Sequence, residues 1–221
     1  MYEQLSRYYD LFLDDSLYDI YEQLINKYHE SGHVLDLGCG TAPLAIKLSK
    51  SDYTVSGSDQ SIEMLEEAYN NAVSNDVHIN FFVHNILDPI AGVYDIYTMS
   101  SDVINYILNL EDVQTVFMNV SEVMTPDSIL VFDFLRPQFV KEIIGHKEHI
   151  EVEDSVIAWQ VLGTDVQDQL EHHLEFEDGE EVHIQQTHPF KTYKQLLNQV
   201  GLFVVKKVKI KERIICVCKK L

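Results

Sequence analysis

Residues able to hold a nucleotide lie in one short segment, VLDLGCGTAPLA, which contains Asp36, Gly38 and Gly40. Glycines that directly follow a buried strand let the backbone approach a ligand where a side chain would clash. Asp59 stands 21 residues after Gly38 (59 − 38 = 21). At about that distance an acidic side chain holds the ribose hydroxyls of a nucleotide. The spacing therefore predicts a nucleotide site.

The residues around the glycines indicate which nucleotide is bound. A dinucleotide fold needs a third glycine at the sixth position, so that a pyrophosphate can sit on the following helix. Pro43 occupies that position here. The carboxylate of Asp36 would repel a pyrophosphate and attract an ammonium group. These features favour S-adenosylmethionine (SAM), which has no phosphate and carries ammonium and sulfonium groups, over NAD.

The elements that must position this site alternate between strands and helices. The apolar patterns predict helices over Pro43–Ser49, from Ser61 onward, and over Glu111–Met124, with Thr41 a candidate N-cap of the first. Five apolar runs predict strands: VLDLG, TVSGSD, INFFVHN, YDIYTM and SILVFDFL. This alternation predicts an α/β fold with a mostly parallel sheet and helices on both faces.

Two segments depart from the alternation. Residues 1–30 are predicted to form an N-terminal helical cap, broken at Asp14, Asp15 and Ser16. Residues 148–190 are predicted to form an antiparallel insertion between the fifth strand and the last helix, with strands VIAWQVLG, LEHHLEFE and EVHIQQTHPF and a hairpin turn at Asp178-Gly179. The helix TYKQLLNQVG and two closing strands, LFVVKKVKI and RIICVCKK, complete one predicted domain over residues 1–221.

The charge balance limits the choice of partners. Asp and Glu number 36 against 16 Lys and Arg, which gives a net charge of −20. Such a chain is not expected to bind nucleic acid or anionic membranes, both of which attract cations. Residues 148–190 contain twelve acids and no Lys or Arg. These acids are either a lid whose field attracts a cationic substrate, or the solvated outer faces of the insertion.

Cysteine and histidine patterns predict neither disulfides nor a metal site. The three cysteines form no CxxC pair: Cys39, Cys216 and Cys218. Without a signal peptide or a long apolar run, the chain is predicted to be cytoplasmic. Five candidate metal ligands lie in the insertion: Glu171, His172, His173, Glu175 and His183. Adjacent histidines on a strand point to opposite faces, so no metal is expected.

Several motifs together resemble one family. Five segments are similar to motifs of the class I (Rossmann-like) SAM-dependent methyltransferases. They are "DLGCGT" from Asp36, "SDQS" from Ser58, "LEEA" from Leu65, "HNILD" from His84 and the last helix region from Thr192. "SSDVINYI" from Ser100 resembles a segment of small bacterial members with small-molecule or unassigned substrates. The resemblance covers nearly the whole chain except the insertion, and it implies a seven-stranded sheet. Ala42 stands where the family has its third glycine.

The resemblance implies a role for each matching residue. Asp59 would hold the ribose, Asn85 and Ile86 the adenine, and Ser101 the sulfonium region. The full set of implied cofactor-binding residues is Tyr9, Asp36, Gly38, Cys39, Gly40, Asp59, Gln60, Met64, Asn85, Ile86, Ser100 and Ser101. Candidates near the transferred methyl group are Asp102, Asn105 and Tyr106, with Tyr8 and His188 as substrate-binding candidates. No single base can be named.

Three functions stay open on the sequence. The first is a SAM-dependent methyltransferase that acts by in-line displacement on a small-molecule acceptor, such as an amine, as a monomer or homodimer. The second is a protein that binds SAM or S-adenosylhomocysteine (SAH) without turnover. The third is an NAD-dependent oxidoreductase, against which Pro43 argues.

Overall fold

A computed structural model describes residues 4–13, 15–152 and 155–220. Its strands are β1 Gly32–Leu37, β2 Tyr53–Asp59, β3 Asn80–Val83, β4 Ile96–Met99, β5 Ile129–Leu135, β6 Lys147–Val152, β7 Ser155–Gly163, β8 Gln169–Phe176, β9 Gly179–Gln186, β10 Leu202–Lys209 and β11 Arg213–Lys220. Its α-helices are α1 Asp15–Ile25, α2 Pro43–Ser49, α3 Ile62–Ser74, α4 Leu110–Val123, α5 Pro137–Ile143 and α6 Phe190–Gln199. Short 3-10 turns lie at Leu5–Arg7, Tyr9–Phe12 and Val103–Tyr106.

Seven strands form the main sheet, in the order β10-β11-β5-β4-β1-β2-β3. Strands β1 to β5 run parallel, and β11 pairs antiparallel with both β5 and β10. In β4 and β5 every residue is buried, as expected for central strands covered on both faces. The predicted α/β fold with a mostly parallel seven-stranded sheet is confirmed.

Helices cover both faces of this sheet. On one face, α1 and α2 pack through side chains such as Tyr21 and Leu44 against Val34 of β1. On the other face, Phe117 of α4 and Tyr193 of α6 pack against the buried side chains of β4 and β5. Two core clusters therefore hold the central strands rigidly, and the carboxyl ends of β1 to β4 meet at one edge of the sheet.

The insertion folds as a second, antiparallel sheet in the order β6-β7-β8-β9. The predicted antiparallel insertion is confirmed, but the sequence indicated three strands where the structure has four, and α5 was not predicted. Strand β6 was missed because its sequence, KEHIEV, is polar, and in this edge strand only Ile150 and Val152 are half-buried. The sheet packs on the N-terminal turns through Leu5, Ile157 and Leu174.

Two local predictions were wrong. Ala42, not Thr41, stands at the N-cap of α2, in a left-handed conformation with φ 67°. Thr41 instead donates its hydroxyl to Asp10 Oδ1 at 2.6 Å, which ties α2 to the N-terminal segment. That segment forms two 3-10 turns before α1 rather than a helix interrupted by Asp15; Asp14 lies outside the described residues.

Most acids of the insertion face solvent. Seven are exposed: Glu148, Glu151, Asp165, Glu175, Glu177, Asp178 and Glu180. Three are partly buried, namely Asp168, Glu171 and Glu181, while Glu153 and Asp154 are outside the described residues. The exposure of most of these acids fits the interpretation that they lie on the solvated outer faces of the insertion. In the described ranges no helix is long and apolar enough to cross a membrane.

Candidate active site

A large cavity of about 500 Å³ lies at the carboxyl edge of the parallel strands. Each strand from β1 to β4 contributes a residue at or just after its carboxyl end to the wall: Gly38, Asp59, Asn85 and Ser101. This is the usual position of a ligand in an open α/β sheet, because the strand order reverses there and leaves a crevice.

Ten of the predicted site residues line this large cavity. They are Tyr9, Gly38, Gly40, Asp59, Gln60, Met64, Asn85, Ile86, Ser101 and Tyr106. The structure thus brings together residues separated by up to 97 positions (106 − 9 = 97). Their individual contacts with a ligand stay predictions.

The amides of the glycine turn are engaged within the protein. Both Gly38 N and Cys39 N donate to the carbonyl oxygen of Ser58, at 2.8 and 2.9 Å. Gly40 N donates to Asp59 Oδ2 at 3.0 Å. A pyrophosphate needs free backbone N–H groups at this place. None of the three N–H groups of this turn is free to bind a phosphate, and this favours a nucleotide without phosphate.

Asp59 is held in one orientation at the cavity wall. Its second carboxylate oxygen, Oδ1, accepts the backbone N–H of Ser61 at 2.9 Å. Burial raises the pKa of Asp59, and the N–H groups of Ser61 and Gly40 oppose that rise. Each oxygen keeps further lone pairs, so the carboxylate can accept hydroxyl groups of a ligand while it braces the turn.

Two side chains beyond β3 shape the next part of the wall. Asn85 Oδ1 accepts the N–H of Leu87 at 3.0 Å, so this side chain also stabilises its own turn. Both ring nitrogens of His84 are buried and find no hydrogen-bond partner among the described residues. His84 was not predicted as a site residue. Its only sequence signal is its place at the start of "HNILD".

Asp36 lies behind the glycine turn rather than on the cavity wall. It is fully buried, and Thr98 Oγ1 donates to its Oδ1 at 2.6 Å. Within the described residues its Oδ2 has no hydrogen-bond partner. Burial raises the pKa of Asp36 to about 7. A cation bound nearby would stabilise the charged form of this carboxyl.

A small cavity of about 200 Å³ adjoins the large one. The two share Tyr9, Ser101 and Tyr106 in their walls. The N-terminal turns contribute Leu5 and Phe12 to the small cavity. The insertion contributes Trp159, His172, Leu174, His183 and Gln185, and the segment around β11 contributes Ile210, Glu212 and Arg213. Of the predicted catalytic residues, Asp102 and Tyr106 line it.

A strained turn aims Asp102 into the small cavity. Ser101 and Asp102 both have left-handed backbones, with φ 58° and 55°. Such conformations are rare outside glycine and persist only where surrounding contacts enforce them. Here Asp102 N donates to Asp133 Oδ2 at 3.2 Å, and Arg213 Nη1 donates to Asp102 Oδ1 at 2.8 Å.

Arg213 stands between two carboxylates. Besides Asp102 it contacts Asp133 Oδ2 at 2.7 Å, and Tyr21 donates its hydroxyl to Asp133 Oδ1 at 2.6 Å. Burial raises the pKa of Asp133, which the Arg213 charge opposes. The guanidinium is thus neutralised by protein carboxylates. Sequence reasoning missed Arg213, which reads as the first residue of an ordinary apolar strand.

Six predicted residues lie outside both cavities: Tyr8, Asp36, Cys39, Ser100, Asn105 and His188. Asn105 is fully buried; its Nδ2 donates to Gln186 O and its Oδ1 accepts Leu135 N, both at 2.8 Å. It joins the turn after β4 to β5 and β9. Tyr8 stacks on Phe176, and His188 contacts Tyr193. For all of the six except Asp36, which lies directly behind the glycine turn, this placement gives the predicted role no support.

Comparison with known proteins places the chain in a family. Residues 34–127 match the family described as "Methyltransferase domain". A protein of Geobacillus sp. (strain WCH70), named provisionally as a methyltransferase, is 30% identical over 223 residues, which cover 92% of this chain and 90% of the relative. The chain belongs to the methyltransferases.

Solved structures share the fold of this methyltransferase over nearly its full length. A SAM-dependent methyltransferase from Clostridium acetobutylicum ATCC 824 has a TM-score of 0.80 at 22% identity, covering 99% of this chain and 96% of that one. SAM-bound CalS10, an amino pentose methyltransferase from Micromonospora echinaspora, has a TM-score of 0.73 at 15% identity, covering 94% and 91%.

The residues of the large cavity fit SAM. Its volume lies in the range of roughly 300–1,000 Å³ that is common for small-molecule sites. The oriented Asp59 carboxylate suits ribose hydroxyls, and the engaged amides of the glycine turn match a cofactor that has no phosphate. The unpaired Oδ2 of Asp36 adds negative charge behind the turn, which suits a cationic amino acid moiety.

Proposed function

We propose that this methyltransferase methylates the nitrogen of a small, cationic amine that binds in the small cavity. One observation carries the proposal. The small cavity meets the large one at Tyr9, Ser101 and Tyr106. Its wall holds two carboxylates, Asp102 and Glu212, against one guanidinium, that of Arg213. Since Arg213 already pairs with Asp102 and Asp133, the cavity has an excess of negative charge that favours a cation.

In this proposal the large cavity holds SAM through the residues that line it. Asp59 accepts the ribose hydroxyls, while Gln60, Asn85 and Ile86 surround the adenine. Asp36 acts from behind Gly38 on the amino acid end. When bound, SAM supplies a methyl group on a sulfonium, whose departure as a thioether needs no proton.

The residues of the small cavity exclude water and position the acceptor. Leu5 and Phe12 from the N-terminal turns face Trp159 and Leu174 from the insertion, and Phe12 meets Trp159 edge to face with ring centroids 5.6 Å apart. Aromatic faces attract ammonium groups, with about 0.5–2 kcal/mol for each contact. Alignment and exclusion of water are the main needs of a methyl transfer.

The name of one structural neighbour supports an amine acceptor. CalS10 is named for methylation of an amino pentose. At 15% identity this likeness shows the shared fold, so the acceptor class proposed for this chain depends on the charge and size of the small cavity.

A turnover screen tests the proposal. The full chain is incubated with SAM and with alkylamines, arylamines and amino sugars, beside alcohols and carboxylic acids of matched size, and SAH and methylated product are measured by mass spectrometry. We expect methylation of amines alone. Methylation confined to alcohols or carboxylates would refute the proposal. SAM binding without any turnover would favour the binding protein considered above.

A further inference from the structure

The two carboxylates in the wall of the small cavity differ in their surroundings. Asp102 directly follows Ser101, which lines both cavities, and the side chain of Asp102 is 14% exposed. The side chain of Glu212 is 42% exposed. A carboxylate attracts a cation more strongly where less water screens its charge. Asp102 therefore adjoins the junction of the two cavities and is the less screened of the two carboxylates.

Donors fix both oxygens of the Asp102 carboxylate. Arg213 Nη1 donates to Oδ1 at 2.8 Å, and Gln185 Nε2 donates to Oδ2. A carboxylate has about four lone-pair sites, so these two donors leave room for an ammonium group. The orientation of Asp102 is thus set before an acceptor arrives, which lowers the entropic cost of binding.

A row of hydrogen bonds from the insertion orients Gln185. Trp159 Nε1 donates to His172 Nδ1 at 3.1 Å. In the neutral ring the other nitrogen, Nε2, then carries the hydrogen and donates to Gln185 Oε1 at 3.2 Å. Burial lowers the pKa of His172, which favours this neutral ring. The row therefore directs the NH₂ group of Gln185 toward Asp102.

Much of the remaining wall of the small cavity is apolar. It includes Leu5, Phe12, Leu17, Leu174 and Ile210. The polar groups of the row already bond to one another, and this makes them poor partners for hydroxyl groups of a ligand. An amino sugar would lose the water around its hydroxyl groups in such a cavity, whereas a hydrocarbon body gains from the same burial.

We propose that the acceptor is a small amine with a hydrocarbon body, an alkylamine or arylalkylamine, and that Asp102 binds its ammonium group. The inference rests on the proposed function, since it names the acceptor and the group that binds it. Gln185 and His172 are positioning residues that act through Asp102. The ammonium group lies beside Ser101, where the two cavities meet, and the hydrocarbon body lies between the N-terminal turns and the insertion.

The first test measures binding without turnover. The full chain, saturated with SAH, is titrated at pH 7 with 2-phenylethylamine, with 2-phenylethanol as the neutral analogue and with glucosamine as the amino sugar. We expect 2-phenylethylamine to bind at least about 10-fold more tightly than either of the others, because a hydrogen bond to a charged group contributes about 1.5–3 kcal/mol. Equal affinity for the amine and the alcohol, tighter binding of glucosamine, or no binding of 2-phenylethylamine overturns the inference.

The second test removes the charge of Asp102. Asn tolerates the left-handed backbone at this position, so Asp102→Asn keeps the turn. The variant should bind 2-phenylethylamine about 10- to 150-fold more weakly than wild type, with its SAH affinity unchanged. Glu212→Gln removes the other carboxylate of the wall and should weaken binding by less than about 5-fold. Asp165→Asn, at an exposed position of the insertion, should bind as wild type does. A larger loss in Glu212→Gln than in Asp102→Asn overturns the role of Asp102.

The third test breaks and rebuilds the row. Gln185→Met removes the donor to Asp102 and should weaken binding of 2-phenylethylamine by about 2- to 12-fold. His172→Leu should show a similar loss. In His172→Gln the side-chain amide can accept from Trp159 and donate to Gln185, so this variant should retain the wild-type affinity. Equal affinities of His172→Leu and His172→Gln would overturn the positioning role of His172.

These measurements separate the inference from the proposed function. If wild type methylates alkylamines and Asp102→Asn keeps both the KM and the Kd for the amine, the role of Asp102 is overturned and the proposed function stands. If 2-phenylethylamine binds through Asp102 but no amine is methylated, the proposed function fails and the amine site stands.

Discussion

Replacement of Asp59 by Asn should weaken SAM binding much more than it weakens the fold. In wild type both carboxylate oxygens accept backbone N–H groups, from Gly40 at 3.0 Å and from Ser61 at 2.9 Å. An Asn side chain must turn its NH₂ toward one of these donors, whichever way it is oriented. Either Gly40 N or Ser61 N therefore loses its acceptor, and in both orientations the charged acceptor proposed for the ribose hydroxyls is lost.

The size of the effect follows from these contacts. A hydrogen bond to a charged group contributes about 1.5–3 kcal/mol, which corresponds to a roughly 10- to 150-fold weaker Kd for SAM or SAH. The unsatisfied backbone N–H should lower the free energy of unfolding by about 1–3 kcal/mol. Calorimetric titration with SAH measures the first quantity, and chemical denaturation measures the second.

A matched control uses the same substitution at the other end of β1. Asp95 Oδ2 accepts the N–H of His33 at 2.8 Å, far along the strand from the turn at Gly38. In Asp95→Asn we expect the affinity for SAH to match wild type. The reasoning would be refuted if Asp59→Asn bound SAH as tightly as wild type does, or if both variants lost affinity equally.

Two further predictions concern buried charges. Arg213→Met leaves Asp102 and Asp133 without their cation and should lower the free energy of unfolding by about 3–5 kcal/mol near pH 8. This loss of stability should become smaller in acid, because Asp133 can then take up a proton. A loss below about 1 kcal/mol in denaturant titrations at pH 8 would contradict the prediction. Asp36→Asn removes a carboxyl whose pKa burial raises to about 7, so that wild type loses stability relative to the variant as the pH rises toward 7. The Tm of wild type should therefore fall relative to that of Asp36→Asn between about pH 4 and pH 7 and then level off. A constant difference across scanning-calorimetry runs over that range would count against the raised pKa of Asp36.

Local sequence rules were sufficient for the main sheet and for most of the large cavity. Buried strands read as apolar runs, and the residue after each strand falls at the same edge whenever the strands are parallel. Gly38, Asp59, Asn85 and Ser101 stand at or just after the carboxyl ends of four successive strands, so their meeting in one wall could be predicted without coordinates. The Ser61 N-cap, whose hydroxyl accepts Met64 N, is equally local.

Prediction failed where conformation or contact depended on distant residues. Ala42 adopts a left-handed backbone that its residue type disfavours, and it is fully buried in the core cluster that joins α1, α2 and the sheet. Asn105 has the residue type of a catalytic amide, but its hydrogen bonds to Gln186 and Leu135 make it a connector between segments. In both cases tertiary contacts override what residue type suggests.

By itself, the sequence determined three features: the parallel sheet, the glycine turn followed 21 residues later by Asp59, and the preference for a cofactor without phosphate. Each of these depends on residues that are close in the chain or on the order of the strands. Only the tertiary structure decided the small cavity. Its wall joins the N-terminal turns, the insertion and β11, as in the bond from Gln185 to Asp102 across 83 positions. Antiparallel strands in an insertion carry no rule about which face meets the main sheet. The pairing of His183 with Glu181, and of Arg213 with Asp102, is therefore visible only in the folded chain.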